Sequence, residues 1–182
     1  MTMPKIAPAA GRAALLGLLF LSFLPRGVSA QASGRAFDDA ARGETVSWTV
    51  ALPPPGIVKP GARVALTLQG TVLDGWHVYG LRQVPAGPTP LKISLDESAV
   101  AAAAGKISAS APVRVHDRGF DLDVEYYSRA FTVTVPLRIA AKAADGPQQI
   151  PVSVRFQTCN DRICQPPKTV RLAAPVTVRT GG

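Results

Sequence analysis

Cysteine is nearly absent, with two residues among 182, which excludes the multiply bridged scaffolds of small secreted proteins. Aromatic side chains are scarce too, at 6%, but an apolar content of 47% excludes a disordered chain. No apolar run reaches the roughly 20 residues a membrane-crossing helix needs. The longest, Ala13 to Leu24, has twelve. Basic residues exceed acidic ones for a net charge of +8, yet no basic run of five or more occurs, which argues against nucleic acid as the main partner. Seventeen prolines punctuate the chain, each incompatible with a helix interior. The length is too short for two ordinary domains.

The beginning of the chain reads as an address. Lys5 and Arg12 precede the twelve-residue apolar run, and Val28-Ser29-Ala30 follows it with small residues at a signal-peptidase spacing. Residues 1–30 are therefore expected to be a cleaved signal peptide, in preference to an uncleaved anchor, since Arg26 closes a run too short to span. The compartment beyond is oxidising. Residues 31–44 are small, polar and aperiodic, and are expected to form a flexible arm. The fold is expected over residues 45–180.

From Thr45 onward, short runs rich in β-branched residues predict about nine strands: 45–52, 62–71, 75–81, 91–95, 106–115, 121–127, 130–140, 150–157 and 169–178. Period-two alternation sets Val64, Leu66 and Leu68 against Arg63, Ala65 and Thr67. It likewise sets Phe131, Val133, Val135 and Leu137 against Thr132, Thr134, Pro136 and Arg138. Turn signals such as Pro60-Gly61, Asp74-Gly75, Gly87-Pro88 and Asp145-Gly146-Pro147 separate the runs. An all-β antiparallel sandwich follows, favoured over a closed barrel because so many strands are flanked by proline.

Cys159 and Cys164 enclose Asn160-Asp161-Arg162-Ile163 within Phe156 to Pro167. A hairpin here brings the two Cα atoms to about 4.5–5.5 Å, inside the range a disulfide spans. Two readings stand. A structural staple is the commoner fate of a cysteine pair in a secreted β domain, but closing a loop this short contributes only about 2 kcal/mol by the chain-entropy estimate. A redox couple is therefore competitive. Arg155 and Arg162 favour a thiolate and Asp161 opposes one. A zinc or copper site would combine both cysteines with His77 and His116, but C-x4-C is an unusual ligand spacing, and no metal is expected.

The stretch Phe156-Gln157-Thr158-Cys159-Asn160-Asp161-Arg162-Ile163-Cys164-Gln165-Pro166-Pro167, with Gly75-Trp76-His77-Val78-Tyr79 and Gly87-Pro88-Thr89, resembles the N-terminal periplasmic domains of thiol:disulfide interchange protein DsbD. The resemblance covers about Trp48 to Val178. It implies an immunoglobulin-like sandwich in the periplasm, acting as a thiol:disulfide oxidoreductase in an electron relay. Cys159 and Cys164 would cycle between dithiol and disulfide without a cofactor, and Cys164 would form the mixed disulfide with a partner. Phe120 would be the aromatic cap over the pair, with Asp117 or Asp121 as a nearby acid, and Tyr79 and His77 as polar aromatic neighbours. For Phe120 and His77, ordinary places in a core or a strand are the competing readings. The implied partners are thioredoxin-fold or other periplasmic redox proteins, and a separate membrane electron donor, because this sequence stops at Gly182. The loop between the cysteines is one residue shorter than in the best-known members. A non-catalytic secreted binding sandwich with a structural hairpin disulfide is the alternative.

Overall fold

The computed structural model describes residues 45–181 apart from Gln83. The expected signal peptide and N-terminal arm lie outside the described residues. Among the latter there is no helix, and thirteen strands follow in order: β1 (Val46–Ala51), β2 (Ile57–Val58), β3 (Arg63–Val72), β4 (His77–Tyr79), β5 (Lys92–Leu95), β6 (Ala101–Ala103), β7 (Ser108–Ala109), β8 (Val113–Asp117), β9 (Leu122–Tyr127), β10 (Phe131–Ile139), β11 (Gly146–Phe156), β12 (Thr158–Cys159) and β13 (Lys168–Val178).

They form three sheets. The first runs β1-β3-β10-β6 with β7 also on β10, the second β2-β13-β11-β5, and the third β12-β4-β9-β8. The short β2 runs parallel to β13, and the other strand pairs are antiparallel.

Alternation decides which faces meet. In β3, Leu66, Leu68 and Val72 are buried while Arg63, Gln69 and Thr71 are exposed; β10 buries Phe131, Val133, Val135, Leu137 and Ile139. From the second sheet come Ile150, Val152, Val154 and Phe156 of β11 and Leu172, Ala174, Val176 and Val178 of β13. All join one core, and each fully buried aliphatic side chain contributes about 1.5–3 kcal/mol. The chain is thus the all-β, immunoglobulin-like antiparallel sandwich that the sequence predicts.

The strand count differs, for local reasons. The single run expected over 106–115 breaks at Ala111-Pro112, so β7 joins the first sheet and β8 the third. Asp145-Gly146-Pro147 is not wholly a turn, because β11 already starts at Gly146 and pairs there with Val178. The alanines near residue 101 form β6 against β10. Proline also occurs inside a central strand. Pro136 of β10 falls between the stretches paired with β6 and with β7, where the second neighbour is interrupted and the missing N–H is tolerated.

Candidate functional site

The third sheet has two different faces, and period two assigns them. Val78 and Tyr127 point into the main core. Tyr79, Val124 and Cys159 point the other way and form a second, smaller apolar cluster, against which Val115, Phe120, Leu122 and Tyr126 pack. Gln157 alone separates β11 from β12, so the chain passes from the second sheet into the third and carries Cys159 onto that outer face. Three side-chain hydrogen bonds fix the crossing. Thr45 Oγ1 donates to Thr158 Oγ1 at 2.9 Å, and Gln157 Oε1 accepts from the Thr89 N–H at 2.8 Å while its amide donates to the Gln165 carbonyl at 3.3 Å. The two separated motifs of the sequence, Gly87-Pro88-Thr89 and the cysteine stretch, meet there.

Cys159 and Cys164 are bonded to each other, with Cα atoms 4.0 Å apart. They form an antiparallel bridge flanked by backbone hydrogen bonds from Asn160 N to Ile163 O and from Gln165 N to Thr158 O, both 2.9 Å. This is the closer, non-hydrogen-bonded type of cross-strand pair. The turn is organised by Asn160, whose Oδ1 accepts from the N–H groups of Arg162 and Ile163, each at 2.9 Å. The bonded cysteines differ in environment. Cys159 is 2% exposed, whereas Cys164 lies in the exposed run 161–164, next to Ile163, an apolar side chain left 58% exposed.

Most of the residues singled out from the sequence surround this pair. A cleft of about 570 Å³ is lined by both cysteines and by His77, Tyr79, Asp117 and Tyr126, with Asp161 and Arg162 of the cysteine loop. Tyr79 donates to Asp117 Oδ2 at 2.7 Å, while Asp117 Oδ1 accepts from the N–H groups of Gly119 at 2.8 Å and Phe120 at 3.4 Å. Asp117 therefore holds the β8–β9 turn and the Tyr79 phenol at once. Burial first, and then the adjacent Asp117 carboxylate, push that phenol far above its ordinary range. Phe120 meets Tyr79 edge to face, with centroids 6.0 Å apart. It packs in the small cluster but does not line the cleft.

His77 stands opposite Cys159 across β4 and β12. Its ring stacks on Tyr126 at 4.6 Å and meets Tyr79 edge to face at 5.1 Å. Nε2 is buried with no hydrogen-bond partner among the described residues. Burial lowers the imidazole pKa, against the opposing pull of Asp117 and Asp161. Asp121 is not brought into the cleft. It sits at a positive φ of 56° at the end of the turn, facing solvent, 3.1 Å from His116 Nε2, while Asp123 lies 3.1 Å from His116 Nδ1. Hydrogen bonds to Asp123 and Asp121 raise the His116 pKa. Arg155 is on β11 opposite Lys92 and takes no part in the cleft. Among the described residues, no three His, Cys, Asp or Glu side chains are grouped to hold a metal ion.

Tyr126 and Asn160 are site residues that the sequence alone does not single out. The preference of asparagine for turns that cap their own backbone was a usable signal for Asn160. Tyr126 reaches the site only through strand register.

A family model described as "Thiol:disulfide interchange protein DsbD, N-terminal" matches residues 50–174. No curated protein matches the chain. Among solved structures, the N-terminal domain of DsbD from Neisseria meningitidis, in the reduced form, is 18% identical, with a TM-score of 0.46 over 72% of this chain and 85% of that one. The N-terminal periplasmic domain of ScsB from Proteus mirabilis is 16% identical, with a TM-score of 0.42 over 70% of this chain and 44% of that one. This chain thus spans less than half of the ScsB domain.

Proposed function

This chain belongs to the family of N-terminal domains of thiol:disulfide interchange protein DsbD, and from that membership we propose that it is a periplasmic module exchanging a disulfide with partner proteins through Cys159 and Cys164. The observation that carries this reading is the uneven exposure of one bonded pair. Cys164 is open to solvent beside a cleft, and Cys159 is 2% exposed. Exchange needs in-line access to one sulfur, and a second thiol held close for resolution.

In the direction that reduces a partner, the Cys164 thiolate attacks the partner's disulfide and forms a mixed disulfide. Cys159 then attacks Cys164 Sγ, the mixed disulfide breaks, and the partner leaves as a dithiol. Two electrons have moved, and no cofactor enters. The exposed Ile163 beside Cys164 offers an apolar contact to a partner such as a thioredoxin-fold protein. Phe120, anchored through Asp117 and Tyr79, serves as the cap of the pair in this reading. Recharging of the couple falls to an electron donor among its redox partner proteins.

The reduction potential of the pair tests the proposal. After equilibration in glutathione buffers and thiol trapping read by mass spectrometry, a value above roughly −270 mV supports an exchanging couple. A value well below about −300 mV marks a resistant structural bond and overturns the proposal in favour of a binding sandwich with a hairpin staple.

A further inference from the structure

We propose that His77 is the proton acceptor for the Cys159 thiol, so that resolution of the mixed disulfide runs through this imidazole. The inference rests on the exchange reading above and assigns a step within it.

Three observations converge on His77. It is the residue directly opposite Cys159 in the β4–β12 register, and side chains of such pairs share a face with Cβ atoms about 4.5–5.5 Å apart. Both residues line the same cleft. With the cysteines oxidised, the Nε2 atom is buried and has no partner among the described residues. An unpaired buried ring nitrogen is costly to the fold, and a bonded Cys159 has no proton to offer it. Reduction creates the missing donor, a thiol at the facing position.

Chemistry gives the step its need. Cys159 is 2% exposed, so bulk water has little access to its proton, and a thiol attacks only as the thiolate. As Cys159 Sγ bonds to Cys164 Sγ, the Cys159 proton passes to His77. The mixed disulfide breaks, its electron pair leaves on the partner's sulfur, and that thiolate takes the proton from the imidazolium. The partner disulfide is the oxidant, so protons and electrons balance.

The surroundings keep the imidazole neutral and in place. Burial lowers its pKa, and stacking on Tyr126 fixes the ring plane. The ionisable groups around it are Tyr79 on its own strand, Tyr126 on β9, Cys159 on β12, Asp161 in the cysteine loop and Asp117 at the end of β8. Arg118, Arg162 and His116 line the same cleft. The two carboxylates oppose the effect of burial without outweighing it, so the ring is neutral at pH 7 and Nε2 is free to accept a proton.

The test mixes the reduced protein with oxidised glutathione, quenches in acid and counts glutathione adducts by intact mass. Formation of the Cys164 adduct is second order, and its resolution by Cys159 is first order. His77→Phe and His77→Gln are expected to slow resolution about 10²-fold at pH 7, the low end for a positioned acid–base group, and to leave adduct formation within about twofold. Wild-type resolution is expected to fall as pH drops below the 6.5 of an ordinary imidazole, an inflection both variants lose. Unchanged resolution in His77→Phe, equal slowing of both steps, or a wild-type profile without that inflection overturns the role of His77. Should His77→Gln not fold, His77→Phe retains an aromatic ring to stack on Tyr126, and the wild-type profile decides independently. A wild-type pair that never takes up glutathione ends the exchange reading itself. Normal wild-type exchange with a normal variant removes only this assignment.

Discussion

Cys159 and Cys164 are chemically alike and five positions apart, so whatever distinguishes them comes from the sheet. Cys159 faces Tyr79 and Val124 in the small apolar cluster, while Cys164 is exposed at the far side of the bridge. Removing the buried thiol should therefore trap an adduct, and removing the exposed one should prevent it. With oxidised glutathione, Cys159→Ser is expected to accumulate a stable Cys164 adduct, and Cys164→Ser to react at least about tenfold more slowly, since burial suppresses thiolate formation. Equal labelling of the two variants by intact mass would contradict the assignment. The two histidines diverge for similar reasons. His116 stands in solvent between Asp123 and Asp121, which raise its pKa, and His77 is lowered by burial. In a proton-NMR titration, His116 should titrate above 6.5 and His77 below it. The linkage signs follow. The support from His116 is complete below its unfolded value and fades as pH rises through its folded one. The contribution of His77 is complete above 6.5 and fades as pH falls toward its folded value. Coincident titration at 6.5 would refute both.

Among the elements, β3 shows how closely the aromatic packing is set. Gly70 stands between Trp48 on β1 and Phe131 on β10, and a Cβ there would lie 2.6 Å from the Phe131 ring and 3.1 Å from the Trp48 ring. Phe131 has little room to retreat, being stacked on Tyr127 at 4.1 Å. Gly70→Ala is expected to destabilise by about 1–3 kcal/mol, as overpacked cores do, with a lowered urea midpoint and an altered near-UV circular dichroism signal. An unchanged midpoint would mean the rings move freely. Strands were legible in the sequence to the degree that their two faces differ. In β3 and β10 apolar and polar residues alternate, and both were found. β6 is three alanines, which carry no alternation, and β2 and β12 are two residues long and exist only by pairing with neighbours. At the site, the closeness of the two cysteines was legible because turn spacing is a local property, whereas Tyr79 and Asp117 were named only through the family resemblance and line the cleft by strand and turn placement. Tyr126 was hidden because it reaches His77 through the β4–β9 register, and of the two alternative acids Asp117 lines the cleft while Asp121 pairs with His116 in solvent.

For the whole molecule, the decisive separation is between what holds the sandwich together and what the disulfide holds. The main core is shared by the first two sheets with Val78 and Tyr127 of the third, and it contains neither cysteine. Cys159 belongs to the small cluster on the opposite face of the third sheet. The bond closes a loop of only six residues, from Cys159 to Cys164, which the chain-entropy estimate values at about 2 kcal/mol. Domains of this kind have about 5–15 kcal/mol of net stability, so the dithiol should remain folded. None of the local hydrogen bonds uses either sulfur: Asn160 Oδ1 accepts from Arg162 and Ile163, and Gln165 N donates to Thr158 O, so breaking the S–S bond removes none of them. Urea unfolding with and without a dithiol reductant is expected to show two cooperative transitions with similar slopes, the reduced form less stable by about 2 kcal/mol. A protein that shuttles electrons must be folded in both states, with a difference small enough for a partner's thiols to overcome. Complete unfolding on reduction would make the bond a staple after all and would leave Cys164 no folded dithiol form from which to attack a partner.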